Sequence, residues 1–332
     1  MKYAILGAGY IAPINAAAIL ECEEAEIVCI ANRTREKAVM MAEKLGLSCP
    51  IYTDYIEALE KEKPEAAVIC VFNDQHREYF TECAKRGIHV LCEKPLANTY
   101  QDSADMIKIR DQYGIRVSVL QTQRYGAVLT TAASYIDDHL SELGELCTVE
   151  DNMSCHYFWD GRNPWHLDKV RSGGGIVLNY GVHQLDRLHY MLTVASGEAQ
   201  TIDFHGAAAI RKPGIETESS YVMLGRSCQN VFYTVSCSGY SGPTVNEMML
   251  HFQNRTVKCV LCDNGMDRRG VYISDGTAFR PIPLLCEDGE NGHEMYVREM
   301  READLYLRGL REEAPVSMEW AAEMVKLCES IL

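Results

Sequence analysis

Three groups of residues in this chain have the types and spacing that chemistry needs. The first is Gly7-Ala8-Gly9-Tyr10-Ile11-Ala12, a Gly-x-Gly-x-x-Ala turn directly after the apolar run Tyr3-Ala4-Ile5-Leu6. A strand that ends in such a turn and opens a helix brings backbone N–H groups and a partial positive charge up to a pyrophosphate. The second is Cys92-Glu93-Lys94-Pro95, at the end of another apolar run. Lys94 is either an ordinary lysine of a surface loop or an ammonium at a cleft edge. In the second case a cationic nicotinamide would lower its pKa and let it exchange a proton. The third group runs from Ser172-Gly173-Gly174-Gly175 to Gly181-Val182-His183-Gln184-Leu185-Asp186. On a helix, Asn179 and His183 are four apart and share a face. Asp186, three further on, is placed to hold one imidazole nitrogen and leave the other for a substrate. A buried structural histidine is the plainer alternative.

These groups need elements to position them. Apolar runs at 3–6, 26–31, 66–71, 88–92 and 115–119 alternate with helix-like segments near 11–21, 34–45, 54–62, 75–86 and 99–113. Strands separated by helices predict a parallel sheet with right-handed crossovers, whose ligands bind at the carboxyl ends of the strands. Residues 7–10, 31–34, 72–76, 93–95 and 121–124 are therefore expected around one cleft. Pro13 falls in the first turn of the first helix, where a missing N–H does little harm. After about residue 120 the pattern changes to a helix at 126–139, then strand-like runs at 145–155, 200–210, 219–224, 230–237, 246–253, 256–262 and 270–273. Many are joined by short polar turns, which predicts a mainly antiparallel sheet. One helix is expected over 175–191 and two more near 293–310 and 318–331. The fold class expected is α/β plus α+β, with an N-terminal Rossmann domain over 1–121 and a C-terminal α+β domain over 122–332. The last helices are free to pack back on the first domain.

Composition narrows the functions. The 332 residues suit about two domains. A net charge of −15, from 32 Lys+Arg against 47 Asp+Glu, repels polyphosphate backbones and argues against nucleic-acid binding, while leaving room for a local nucleotide pocket. No apolar run is long enough for a membrane helix. Met1-Lys2 lead straight into the first strand with no signal peptide, so a cytoplasmic protein is expected. The 14 scattered cysteines read as reduced thiols. Cys259 and Cys262 form the only C-x-x-C, in a strand-like run where they face opposite ways. His156, His166 and His183 lack ligand spacing, so no metal is expected.

Cofactor choice lies where the second apolar run ends, at Ala31-Asn32-Arg33-Thr34-Arg35. The carboxylate that NAD enzymes use on the ribose hydroxyls is missing there. Asn32 can bond a hydroxyl, and Arg33 or Arg35 can clasp a 2′-phosphate, which favours NADP(H) over NAD(H). Two solvated arginines at a helix start are the plain alternative, and Thr34 is a fair N-cap. Gln121, Gln123 and Arg124 follow the 115–119 run, within reach of nicotinamide or substrate. The stretch Tyr157-Phe158-Trp159-Asp160-Gly161-Arg162-Asn163-Pro164-Trp165-His166 joins aromatic faces to polar groups. That combination suits a sugar and equally a packed aromatic loop.

In order, Gly7 to Ala12, Glu93-Lys94-Pro95 and the glycine triplet leading to Gly181 to Asp186 resemble the GFO/IDH/MocA family of NAD(P)-dependent sugar, inositol and related dehydrogenases. The resemblance follows the order of elements from residue 1 to about 330. It implies a C-terminal domain on a large, mainly antiparallel sheet and homodimers or homotetramers formed through it. It implies that Gly7, Gly9, Tyr10, Ile11, Asn32, Arg33, Phe72, Asn73, His76, Glu93, Lys94 and Gln121 surround the cofactor. Lys94, Arg124, Trp165, Asn179 and His183 would meet the substrate, a carbohydrate or cyclic polyol. Lys94 and His183, with Asn179, would be the catalytic set. Asn179 departs from the family pattern, in which Asp is common. An amide can hold a hydroxyl but brings no charge, so Lys94 should have a lower pKa than in an Asp-bearing relative. Three activities fit this pattern: hydride transfer to or from a polyol, a redox-neutral glycosidase-type reaction on retained NAD, and a non-catalytic dinucleotide sensor.

Overall fold

Tyr3, Ala4, Ile5 and Leu6 are all buried, so both faces of this run are covered, as in the centre of a parallel sheet. In the computed structural model, which describes residues 1–210, 214–263 and 269–332 and for 241–243 and 263 the backbone alone, the run is strand β1 (Lys2–Leu6). There follow α1 (Ala12–Leu20), β2 (Glu26–Ala31), α2 (Arg35–Leu45), β3 (Ile51–Tyr52), α3 (Tyr55–Glu62), β4 (Ala66–Ile69), α4 (His76–Lys85), β5 (His89–Glu93), α5 (Tyr100–Tyr113) and β6 (Val117–Leu120). The strands pair in parallel in the order β3-β2-β1-β4-β5-β6. The order reverses between β1 and β4, and a doubly wound sheet takes its ligand at the carboxyl ends beside such a reversal. The sequence pattern misses β3, because two residues cannot show a period.

The next elements are α6 (Ala127–Leu143), β7 (Leu146–His156), α7 (Lys169–Ser172), α8 (Val182–Ser196), β8 (Thr201–Ala209), β9 (Ser220–Ser227), β10 (Phe232–Ser238), β11 (Tyr240–Phe252), β12 (Thr256–Asp263), β13 (Gly270–Ser274) and β14 (Phe279–Ile282). Eight strands form one sheet in the order β14-β13-β12-β11-β7-β10-β9-β8. Among the described residues β7 and β10 pair in parallel and the other neighbours pair antiparallel. Burial alternates along β9 and β10, so one face is covered and the other open. Tyr221, Met223, Tyr233 and Val235 lie on the covered face; Val222, Leu224 and Phe232 are exposed. β14 carries Pro281 and three exposed residues, and no apolar pattern marks it. The helix expected over 175–191 begins instead with a π turn, Val177–Gly181, before α8.

The chain ends with α9 (His293–Leu307) and α10 (Met318–Glu329). It divides into two compact units, residues 1–122 with 289–325 and residues 123–288 with 326–332. Thus α9 belongs to the first unit. Its Val297, Met300, Ala303 and Leu307 share a core with Tyr3, Ile19 and Ile30, and Asp304 accepts a 2.6 Å hydrogen bond from the Tyr3 hydroxyl. Cys259 is buried and Cys262 exposed, on opposite sides of β12. Among the described residues no helix is long and apolar enough to cross a membrane.

Candidate active site

At the end of β1, Gly7 has φ +109°, and a Cβ there would stand 2.4 Å from the carbonyl oxygen of Cys70. Only glycine fits both demands. Gly9 differs, since a Cβ would meet nothing nearer than that oxygen at 3.9 Å. Its bare backbone is not required by packing, which leaves it open to an approaching group. Tyr10 is exposed. Ile11 stands at the N-cap of α1 with no side-chain cap bond and no acidic residue in the first turn, so the first N–H groups of α1 and its positive end suit an anion. These features fit a dinucleotide pyrophosphate.

Asn32 leaves β2 and pins this turn. Its Oδ1 accepts from the Ala8 N–H at 3.0 Å, and its Nδ2 donates to the Thr34 carbonyl at 2.7 Å. The side chain expected on a ribose hydroxyl is therefore already bonded at both ends. Arg35 donates to the Ile51 carbonyl at 2.7 Å. Arg33 is exposed and, among the described residues, makes no hydrogen bond or ion pair. Thr34 occupies the N-cap of α2 without a side-chain cap bond.

β5 delivers Glu93 and Lys94 to the same edge of the sheet. Glu93 is buried, accepting from Asn15 Nδ2 of α1 at 2.7 Å and from the Lys94 N–H at 3.2 Å. Burial pushes its carboxyl pKa up, while the Asn15 bond and the Lys94 charge pull it back. Glu93 thus supports the turn from inside. Lys94 is half-buried, joined to Pro95 by a cis peptide.

His76 lies deeper at the same edge. It is wholly buried, with Nδ1 2.9 Å from the Pro95 carbonyl and Nε2 3.4 Å from that of Val71. Burial lowers its pKa, and the Lys94 charge acts in the same direction. It is a neutral imidazole tying the exit of β4 to the turn after β5. Phe72 and Asn73 lie half-buried at that exit. Gln121 is 1% exposed, and its N–H donates to Glu299 of α9, whose other oxygen takes the Thr122 hydroxyl at 2.6 Å. It too lies beneath the surface. Asn15 and Glu299 escaped sequence reasoning; the only signal was a polar residue on an otherwise apolar helix face.

In the second unit the glycine triplet serves the chain's own packing. A Cβ on Gly175 would stand 2.4 Å from the Glu218 carbonyl, and the Gly175 N–H donates to the Glu218 carboxylate at 2.6 Å. Asn179, in the π turn, donates to the Tyr157 hydroxyl at 3.4 Å. His183, in the first turn of α8, is half-buried. The Asp186 carboxylate takes the guanidinium of Arg124, with Nε to Oδ2 at 3.0 Å and a second bond from Nη2 to Oδ1. Asp186 thus has Arg124 as an ion-pair partner. Arg124 also lies over the Tyr190 ring at 5.3 Å. Trp165 is half-buried and stacks on His166 at 3.9 Å. Arg162 lies 3.5 Å from the centroid of Tyr157. Missed in the sequence was the buried pair Asp151–Arg187, bidentate and bridged to Gln184. Charged residues inside apolar patterns were its signal.

A reversed parallel sheet with an open glycine turn at its switch point defines the first unit as a dinucleotide-binding Rossmann domain, joined in one chain to an α+β unit on a large sheet. The chain belongs to the GFO/IDH/MocA family. Residues 1–121 match the oxidoreductase family's NAD-binding Rossmann fold, and residues 131–258 match the GFO/IDH/MocA C-terminal domain. It is 28% identical over 193 residues to a 2,7-anhydro-N-acetylneuraminate hydratase of Mediterraneibacter gnavus, which covers 57% of this chain and 49% of that protein. It is 27% identical over 219 residues to a 1,5-anhydro-D-fructose reductase of Ensifer adhaerens, covering 65% and 63%. The chain thus spans about half to just under two thirds of the length of these curated relatives. The fold is similar to that of a levoglucosan dehydrogenase solved with NADH and L-sorbose, with a TM-score of 0.83 at 15% identity, covering 100% of this chain and 95% of that one.

Proposed function

We propose that this protein is an NAD(P)-dependent oxidoreductase that moves a hydride between nicotinamide and a carbinol or carbonyl carbon of a sugar, inositol or related cyclic polyol. The observation that carries this reading is Lys94 on the carboxyl edge of the Rossmann sheet. It is fixed there by the Glu93–Asn15 bond to the same helix that opens the glycine turn. Nicotinamide supplies the hydride acceptor or donor. Lys94 holds the reacting hydroxyl oxygen, His183 takes its proton in oxidation and returns it in reduction, and Asn179 holds a neighbouring hydroxyl as a neutral partner. The reductase and hydratase names of the relatives support a carbohydrate-type substrate.

The exposed Arg33, with asparagine instead of a carboxylate at the end of β2, favours NADP(H) over NAD(H). A dimer or tetramer contact is assigned to the open sheet face, where Val222, Leu224 and Phe232 are exposed. All 14 cysteines are unbridged, which suits the reducing cytoplasm. A second reading, net redox-neutral turnover on retained cofactor, is favoured by the relative named a hydratase.

The test is a panel of sugars, inositols and keto-inositols assayed with both cofactors. Lys94→Met and His183→Ala should each cut turnover by roughly 10²- to 10⁴-fold while leaving cofactor affinity nearly intact. Full turnover in both variants would refute the assignment. Substrate conversion without net change in nicotinamide absorbance would select the second reading.

A further inference from the structure

Arg162 carries a charge that the described residues do not balance. Three of the unit's other arginines have carboxylates at hand: Arg124 has Asp186, Arg187 has Asp151, and Arg226 has Asp203. Arg162 has instead an aromatic seat. Its guanidinium carbon lies 3.5 Å from the Tyr157 ring centroid, and its charge opposes the rise that burial gives to the pKa of Tyr157 and of Tyr180. The two rings meet edge to face at 5.6 Å. Its Nε is closed to solvent and has no acceptor among the described residues.

This seat borders the residues already assigned to the substrate. The Tyr157 hydroxyl accepts from Asn179, at 3.4 Å. Asn179 is an uncharged amide. A carboxylate there would stand one tyrosine away from Arg162 and supply its counter-charge. The amide leaves the guanidinium unquenched. Packing against a ring fixes the plane of the guanidinium and leaves its fork to be matched by a planar, two-oxygen anion.

We infer that Arg162 anchors a substrate carboxylate, and that the substrate is therefore an acidic sugar, a uronate or related sugar acid, rather than a neutral polyol. This rests on the function proposed above and specifies its substrate class. One guanidinium beside a neutral amide matches a monoanion in charge. A sugar phosphate, nearly a dianion at neutral pH, would leave charge unmatched there.

The test measures calorimetric binding and initial rates on the full chain at saturating NAD(H) or NADP(H). The probes are a panel of hexuronates, the matching neutral pyranoses and the matching sugar 6-phosphates. At least one uronate should bind more tightly than its neutral counterpart. Arg162→Gln should weaken that uronate roughly 10- to 100-fold while changing neutral sugars by less than about threefold, and Arg162→Lys should recover part of the loss. Unchanged melting curves for Arg162→Lys separate lost recognition from lost folding. Neutral sugars or phosphates bound better than uronates, no uronate bound at all, or equal losses for charged and neutral ligands would each overturn the inference. Hydride transfer to neutral sugars independent of Arg162 would sink this inference and leave the oxidoreductase reading standing. Uronate binding that depends on Arg162 without hydride transfer would do the reverse.

Discussion

Gly7 and Gly9 belong to one motif, yet the structure asks different things of them. At Gly7 a methyl group would collide with a backbone carbonyl at a left-handed φ, and neither can relax cheaply. Gly7→Ala should therefore destabilise the fold by about 3 kcal/mol or more. At Gly9 the same methyl meets only ordinary contact distance. Gly9→Ala should change stability by less than about 1 kcal/mol while weakening dinucleotide binding, because the added group stands where a phosphate must approach backbone. Thermal melting and a cofactor titration of the two variants separate the roles. Equal melting temperatures for both would refute the distinction. The motif itself was legible, because a Gly-x-Gly pattern after an apolar run is local. The division of labour was not, since it depends on Cys70 at the end of a different strand.

In the second unit one polar network joins α8 to its sheet. Arg187 is fully buried and binds Asp151 of β7 through two bonds. Gln184, one turn earlier, donates to the Asp151 carboxylate and to the Ser236 carbonyl of β10 at 3.1 Å, and accepts from the Tyr221 hydroxyl of β9. Three strands and one helix are thus fixed in register by groups that must all be satisfied together. Arg187→Met alone strands a buried carboxylate and should cost about 3–5 kcal/mol in denaturant melts. Pairing it with Asp151→Leu should recover much of that loss. A single variant as stable as the parent would show the network to be idle. Asp186, also on α8, pairs with Arg124, so this helix carries one partner of two separate ion pairs. That arrangement could be suspected from the spacing of Gln184 and Arg187, but their partners lie far along the chain.

Stability of the molecule as a whole should carry an acid signature from His189. Burial, with the nearby Arg124 charge acting in the same direction, holds its pKa at about 4, against an ordinary value of 6.5. The folded imidazole stays neutral while the unfolded one takes up a proton below about 6.5. The unfolded state then binds more protons, so stability falls as pH falls from about 6.5 toward 4 and this contribution is exhausted below that. The loss should total roughly 3 kcal/mol. His189→Gln should flatten the pH dependence of the melting temperature across this window. An unchanged slope in the variant would remove His189 as the cause.

The alternation of strand and helix over the first 120 residues, the antiparallel texture beyond, and the glycine turn were determined by the sequence alone, because each is written in neighbouring residues. The two-residue β3, the π turn before α8 and the membership of α9 in the first unit were not, because tertiary packing rather than local period creates them. The same holds for the site residues. Glu93 meets Asn15 across 78 positions and Arg124 meets Asp186 across 62. Only folding decides which charges are neutralised inside, and that Arg162 packs on the Tyr157 ring. Burial and partnership are properties of residues brought together from afar, and a charge acquires its chemistry from that company.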